Sequence, residues 1–413
     1  MLNTSFYTGI GTLIGFISGF VVNKVIAVFI GPSGVAIISQ FQNFITVSTT
    51  FASGGIEQGV VKYLAGVRGD DEKKALILST SLRISLFLSL FVGISISIFS
   101  NFISFKLFGT REYQYILIVF GFTILLFGLN KLFMSILNGM GEIKKLVGVN
   151  ISSSLFGLLI TSFCIYLFGI SGALVAILIS QLVIFFILFL FVIKSKWFTL
   201  SYFKRKMEKN YSKKLFRYSI MAASSLLFTP LVQIGIRNHI TETISMEAAG
   251  YWTGLLKITS AYLGIITSSL SIYYLPKLSI LKERIDIRRE LLNGYKIITP
   301  VLILMVFSIY LLRDYVITIL YSSEFLKMKS LFAPQLAGDF FKIMSWLIAY
   351  LMIAKAFTRT FIVLEIVFLC TSYLLSIYLI SLIGLEGVVW AHFIIYFMYF
   401  VIVVILFRGY IIK

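Results

Sequence analysis

The chain has 413 residues, of which 59% are apolar and only 13% charged, with a mean hydropathy of +0.98. No water-soluble globule of this length can bury so large an apolar fraction. Thirty-six Lys and Arg against 17 Asp and Glu give a net charge of +19, which in so apolar a chain speaks of membrane topology and not of nucleic acid; soluble enzymes and nucleic-acid-binding domains are excluded.

An apolar stretch of about 20 residues crosses the hydrocarbon core as a helix. Twelve such stretches are predicted, over residues 6–30, 35–60, 76–99, 115–137, 146–168, 171–193, 215–237, 248–275, 297–320, 331–354, 361–383 and 387–407. The first lacks a basic leader and a small-residue cleavage site, so it is expected to be a retained span. Cys164 and Cys370 both fall inside spans, and two thiols in lipid imply neither a disulfide framework nor a metal site. His239 is expected in an outer loop and His392 in span 12, neither with a Ser, Cys or second His arranged around it. No catalytic residue and no metal ligand is expected.

Basic residues alternate with the loops. With the N-terminus in the cytoplasm, the outer loops hold only Lys106, Arg111, Arg237, Arg313, Lys327 and Lys329 out of the 36, and five more lie in spans. The rest crowd the inner loops and the C-terminal tail, including Arg68, Arg217 and Lys413. That bias places both termini in the cytoplasm. The basic loops themselves are ascribed to topology and to attraction for anionic lipid.

The longest inner connection, KSKWFTLSYFKRKMEKNYSKK from Lys194 to Lys214, divides the spans into two sets of six. The expected organisation is an N-terminal lobe over 1–193, a basic linker over 194–214 and a C-terminal lobe over 215–413. FGISGALVA at 168–176 and IGLEGVVWA at 383–391 share a Gly-x-x-Gly-x-x-x-Ala frame, each at the outer turn between the last two spans of its half. Six spans return the chain to its starting side, so the halves form parallel repeats. The fold class is therefore an all-α polytopic membrane protein with twelve transmembrane helices in two pseudo-symmetric six-helix lobes around a central cavity.

Helical periodicity marks the wet faces. Span 8 carries Thr253, Lys257, Ser260, Gly264, Thr267, Ser268 and Ser271, mostly at three- and four-residue steps. Span 2 carries Ser39, Gln42, Thr46, Thr49, Ser53 and Glu57, and span 10 carries Gln335, Asp339, Lys342 and Trp346. Span 1 has a small-residue face of Thr8, Gly11, Gly15, Ser18, Gly19 and Asn23, with Lys24 beside it. Such stripes serve helix packing or line water; those with an ionisable member are read as cavity walls. Pro230 is expected to kink span 7.

An ionisable group at membrane depth costs a few kcal/mol on insertion scales and is a functional hypothesis by default. Lys24, Lys257 and Lys342 are expected to line the cavity, with a structural ion pair as the alternative for each. Arg83 and Lys131 lie near the cytoplasmic end, where long side chains snorkel. Asp339 stands three residues before Lys342, on the same face, so a local neutralising pair and a separate role are both open. Glu57 and Glu365 lie close to the cytoplasmic end and read first as solvated carboxylates.

Several segments together resemble one family. IGPSGVAIISQFQNFITV at 30–47, GVVKYLA at 59–65, YLPKLS at 274–279, LLRDY at 311–315, SSEFLKMKSLFAPQLAGDFFK at 322–342 and IAKA at 353–356 are similar, in order over nearly the whole chain, to Wzx-type O-antigen and enterobacterial common antigen flippases. These belong to the multidrug/oligosaccharidyl-lipid/polysaccharide exporter superfamily. The resemblance implies a two-lobed exporter in the bacterial inner membrane, moving undecaprenyl-diphosphate-linked oligosaccharide units of the O-antigen type to the outer leaflet by alternating access. It implies membrane lipids as surroundings, and a polysaccharide polymerase and a chain-length regulator as possible partners.

A diphosphate carries about two negative charges and a glycan needs hydrogen bonds. Lys24, Lys257 and Lys342, with Asn23, Thr253 and Ser260, are the residues expected to meet them, and Arg83 and Lys131 stand behind these. No cofactor is expected; coupling to H+ or Na+ would fall to Asp339 or Glu57. A drug/cation antiporter of the same superfamily, or a flippase for another lipid-linked glycan, is the alternative. Span 1 has no carboxylate, which disfavours export of cations. A membrane polymerase or ligase would need a larger outer domain.

Overall fold

The computed structural model describes the backbone of residues 2–67, 70–195, 197–203, 205, 208–355 and 357–411. Side chains are described for the same residues except 2–10, 209–210, 214, 217–226, 268–269, 271–272, 275–276, 358 and 411. Thr8, Ser268, Ser271, Arg68, Arg217 and Lys413, named above, therefore lie outside the described residues, as does part of the basic 194–214 connection.

Among the described residues the chain is helical, without strands. In order come α1 (Leu2–Phe29), α2 (Gly31–Ser53), α3 (Glu57–Gly66), α4 (Asp71–Ile98), α5 (Ser100–Phe108), α6 (Gln114–Gly139), α7 (Ile143–Ile193), α8 (Lys209–Thr243), α9 (Met246–Ile280), α10 (Arg284–Leu311), α11 (Arg313–Leu320), α12 (Phe332–Ala354), α13 (Thr358–Ile383), α14 (Glu386–Leu406) and α15 (Arg408–Ile411). Short 3₁₀ segments occupy Leu200–Phe203 and Ser323–Leu331. Eight of these helices, α1, α4, α6, α7, α10, α12, α13 and α14, are long and apolar enough to cross a membrane. The 51-residue α7 is broken at Gly169 (φ 56°, ψ −131°) and supplies the fifth and sixth expected spans. The three remaining expected spans fall on α2, of 23 residues, and on α8 and α9, of 35 each.

Three boundaries differ from expectation for local reasons. The second span stops at Ser53 because Gly54 and Gly55 both take positive φ, 69° and 62°, and Glu57 begins the separate α3. The ninth span is α10, which starts 13 residues earlier than expected, at Arg284 in place of residue 297, and residues 313–320 fold as their own short helix. The seventh, α8, continues to Thr243 with Pro230 inside it, up to the Ser245 side chain that caps α9 by accepting from the Ala248 amide. Arg237 and His239 are thereby helical residues and not loop residues.

The chain packs as two compact units, residues 1–30 with 37–234, and 31–36 with 235–413. In the first, α3, α4, α6 and α7 bury Val60, Leu64, Leu78, Leu132, Ile136 and Val192 against one another. The serines of α4 serve helix packing: Ser85, Ser89 and Ser97 lie where Gly128 and Gly121 of α6 leave room for them, as expected where small residues let helices approach in lipid. Asp70 caps α4 by accepting from the Lys73 amide at 3.0 Å. The Lys73 ammonium, 2.7 Å away, holds the Asp70 carboxyl below its usual range. In the second unit, α9, α10, α12 and α14 enclose Tyr274, Leu291, Leu347, Leu351 and Val403.

The two Gly-x-x-Gly frames share a backbone geometry. Gly169 and Gly384 take matching positive-φ conformations, (56°, −131°) and (67°, −146°), open essentially to glycine alone. Three residues on, a Cβ at Gly172 would strike the Cys164 carbonyl, and a Cβ at Gly387 would strike the Leu379 carbonyl. The Gly-x-x-Gly frame is thus a hinge glycine followed by a close-approach glycine, once per half. A second repeated feature is the short helix after the third span of each half, α5 and α11.

Candidate substrate and coupling site

In α12, Gln335, Asp339, Lys342 and Trp346 recur at four, three and four residues, which sets them along one helical face. Asp339 is fully buried. Its carboxylate accepts from Thr259 Oγ1 at 3.2 Å, from Tyr262 Oη and from Gln335 Nε2 at 3.3 and 3.4 Å. His392 Nε2 lies 2.9 Å from Oδ1, where an ionised carboxylate accepts a hydrogen bond from a protonated ring nitrogen. Donors thus converge on it from α9, α12 and α14. A buried carboxylate without such partners would be prohibitively costly, whereas charge-assisted hydrogen bonds offset the lost hydration. Gly338 makes the approach possible: a Cβ there would collide with the His392 ring and lie 3.1 Å from Phe393 Cα.

The neutralising pair of Asp339 with Lys342 is not formed; His392 takes that place. Lys342 turns instead toward two aromatic rings, its Nζ 5.3 Å from the centroid of Trp346 and 4.9 Å from that of Tyr396. A cation over aromatic faces is held by their quadrupoles without being neutralised. The Tyr396 ring also lies 4.7 Å from the His392 ring, so carboxylate, imidazole, phenol and ammonium follow one another from α12 across α14 and back.

A second cationic group in this unit joins α8 to α9. Arg237 is 3% exposed, donates from Nε to Thr253 Oγ1 at 3.0 Å and lies 5.6 Å from the Trp252 ring centroid. Lys257, one turn beyond Thr253, is half-buried. Thr253 itself is buried and also donates to the Ala249 carbonyl at 2.7 Å, so its hydroxyl is engaged in holding the two helices. Ser260 is exposed and donates to the Leu256 carbonyl at 2.7 Å.

In the other unit, Asn23 and Lys24 are half-buried on α1 just before buried Ile26 and Ala27, and both engage other groups of the chain. Arg83 on α4 is half-buried and likewise engaged. Glu57 accepts from Ser53 Oγ at 2.7 Å and pairs with Lys131 at 4.0 Å, so α3 and α6 are linked near the Gly54-Gly55 break. Beside it, Asn130 donates to the backbone and side-chain oxygens of Gln181 at 3.0 and 3.1 Å. Sequence periodicity did not single out His392, Tyr262 or Arg237. A histidine within a span was itself the available signal for the first; its partner is 53 residues away on another helix, which no local spacing reveals.

Long apolar helices in two compact units, with carboxylate, imidazole and ammonium groups inside their spans, define a multi-pass membrane protein of the transporter type. Residues 1–282 match the family described as polysaccharide biosynthesis protein. The chain belongs to that family. It is 30% identical over 400 residues to the lipid III flippase of Escherichia coli (strain K12), covering 97% of this chain and 96% of the relative, with the same figures for the lipid III flippase of Shigella flexneri. The fold is similar to that of solved membrane transporters. An inward-facing multidrug resistance MATE family transporter matches with a TM-score of 0.78 at 16% identity, covering 98% of both chains. The lipid II flippase MurJ in an inward closed conformation matches with a TM-score of 0.76 at 18% identity, covering 99% of this chain and 88% of that one.

Proposed function

We propose that the protein flips undecaprenyl-diphosphate-linked oligosaccharide units, of the O-antigen or common-antigen type, from the cytoplasmic to the periplasmic leaflet of the bacterial inner membrane. The similarity to lipid III flippases over 97% of the chain carries this reading. The cargo has a tail content in lipid, a glycan that cannot cross hydrocarbon and a diphosphate whose charge must be neutralised on the way. Lys24, Lys257 and Lys342 supply positive charge within spans, and lysine is a compact cation with three rotatable donors. Both termini lie in the cytoplasm, and transport proceeds by alternating access. The chemistry of the lipid-linked unit is left unchanged, so the protein acts as a transporter and not as an enzyme.

Outward movement of an anion across an inside-negative membrane is favoured by about 2.3 kcal/mol per charge per 100 mV. Lysines that bind the diphosphate cancel this charge in the loaded state, so the field acts on the empty return. A carboxylate that takes up a cation outside and releases it inside assists that step. Asp339, buried and next in line to His392, is better placed for it than Glu57, which is tied to Ser53 and Lys131. A polymerase and a chain-length regulator are the partners this function would serve. Deleting the gene in a strain without a redundant flippase should trap lipid-linked units on the cytoplasmic leaflet and remove the surface glycan. Normal surface glycan with no accumulated intermediate would overturn the assignment.

A further inference from the structure

We propose that a groove between α10 and α12 holds one acyl chain of an anionic phospholipid, with the lipid phosphate on Arg313. The groove follows from side-chain size. Ala333 and Ala337, one turn apart on α12, leave a trough that Ile303, Phe307 and Tyr310 of α10 and Phe340 of α12 also line, enclosing about 460 Å³. Ile303 and Phe307 are apolar yet exposed; on a span such side chains face hydrocarbon, so what fills the trough is lipid. From Ala333 to Phe340 it runs about 11 Å along the helix, which fits within one leaflet, about 15 Å or half of the hydrocarbon core. At about 100° per residue, Ala333, Ala337 and Phe340 stand on the side of α12 opposite to Gln335, Asp339, Lys342 and Trp346. The polar stripe meets α9 and α14, whereas the groove meets α10. The body of α12 thus separates the groove from Asp339 and Lys342, which favours a resident lipid over the tail of a unit in transit.

Charge at the mouth selects the headgroup. Tyr310 is the last groove residue of α10, and Arg313 opens α11 just beyond it. The Arg313 guanidinium carbon lies 4.1 Å from the centroid of the Tyr310 ring, and Nη1 donates to the Tyr310 carbonyl. Its Nε is buried without a hydrogen-bond partner. Asp314 does not use up this charge, because its carboxylate holds Lys329 at 2.6 Å and stands 4.0 Å from Arg313 Nε. Two cations therefore share one carboxylate, and the exposed Lys327 and Glu324 add one charge of each sign. A planar guanidinium stacked on a ring is pre-organised for phosphate, and basic groups beside spans bind lipid headgroups. A zwitterionic lipid brings its own cation to the same place, so the net positive mouth favours an anionic one. On the topology proposed above, this end of the groove opens to the outer leaflet.

The test uses purified full-length protein in phosphatidylcholine nanodiscs that contain phosphatidylglycerol with a diazirine on one acyl chain. After illumination, peptide mapping should place the label on residues 303–310 and 333–341, above the annular labelling of the lipid-facing α13. Unlabelled phosphatidylglycerol should compete for the groove and added phosphatidylcholine should not. With the probe below saturation, Arg313→Gln should lower groove labelling about 10-fold or more, the worth of one charge-assisted hydrogen bond, and Arg313→Lys should recover part of it. Ala337→Phe fills the trough while Arg313 stays in place, and should abolish the label there without changing that on α13. Labelling spread evenly over α10, α12 and α13, equal competition by phosphatidylcholine, or groove labelling indifferent to both Arg313→Gln and Ala337→Phe overturns the proposal. Displacement by lipid-linked oligosaccharide overturns it too, by giving the groove to the cargo tail, as does displacement by inorganic phosphate, which would make Arg313 an ion site without a lipid. Cross-linking requires no transport, so failure here leaves the flippase reading intact. A groove that takes the lipid in a protein that exports nothing supports the lipid site and removes only the flippase reading.

Discussion

Replacing Lys257 or Lys24 by alanine cuts export of lipid-linked oligosaccharide by about 10- to 100-fold, the worth of one charge-assisted hydrogen bond to an anion, while the protein still inserts and accumulates. Arginine at either position restores a large part of the activity, because positive charge and not side-chain shape is what a diphosphate requires. Both lysines are only half-buried within spans, so alanine opens no fully enclosed cavity in a packed core. Loss of function without loss of folding is therefore the expected pattern. Export and membrane yield measured together in a deletion strain decide the matter: full activity in the alanine variants removes them from the site, and loss of protein makes them structural.

The second large effect is at Asp339. In Asp339→Asn the shape is kept, so the protein folds, but the group can no longer change charge; export loses its response to an imposed ion gradient, worth about 1.4 kcal/mol per proton for each pH unit. Asp339→Leu is a different experiment. It leaves Thr259, Tyr262, Gln335 and His392 facing an apolar side chain, and each buried donor stranded in this way costs about 1–3 kcal/mol. Thermal unfolding in detergent should therefore separate the two variants sharply, with the asparagine protein close to the parent and the leucine protein far below it. Equal stability of the two would show that the donors are not committed to the carboxylate.

Much of this architecture is legible in the sequence because a bilayer imposes a length and a polarity on every span. The Gly-x-x-Gly frames at 169–172 and 384–387 are legible too, since a positive-φ hinge followed by a close carbonyl contact demands glycine at both places. Short breaks are less legible. The twin glycines at 54–55 end α2 inside what reads as one apolar run, and in the run from 297 to 320 only the charged pair Arg313 and Asp314 marks where the separate helix over 313–320 begins. The stripe on α12 is legible because its members recur at helical spacing. Its chemistry is not, because the partner of Asp339 comes from α14. One-turn spacing suggested Lys342, and tertiary packing through Gly338 brought His392 instead. Thr253 shows the same limit from the other side: a polar residue in a stripe can be fully occupied by a neighbouring helix, here through Arg237.

Reconstitution tests the central claim most directly. Purified protein in liposomes carrying an undecaprenyl-diphosphate-linked oligosaccharide in the lumenal leaflet should bring the glycan within reach of a membrane-impermeant lectin, in protein oriented for export and faster under a potential negative on the lumenal side. The account predicts protein-dependent exposure that falls in the Lys257→Ala variant. Exposure no greater than in protein-free liposomes, from protein shown to be folded, would contradict it.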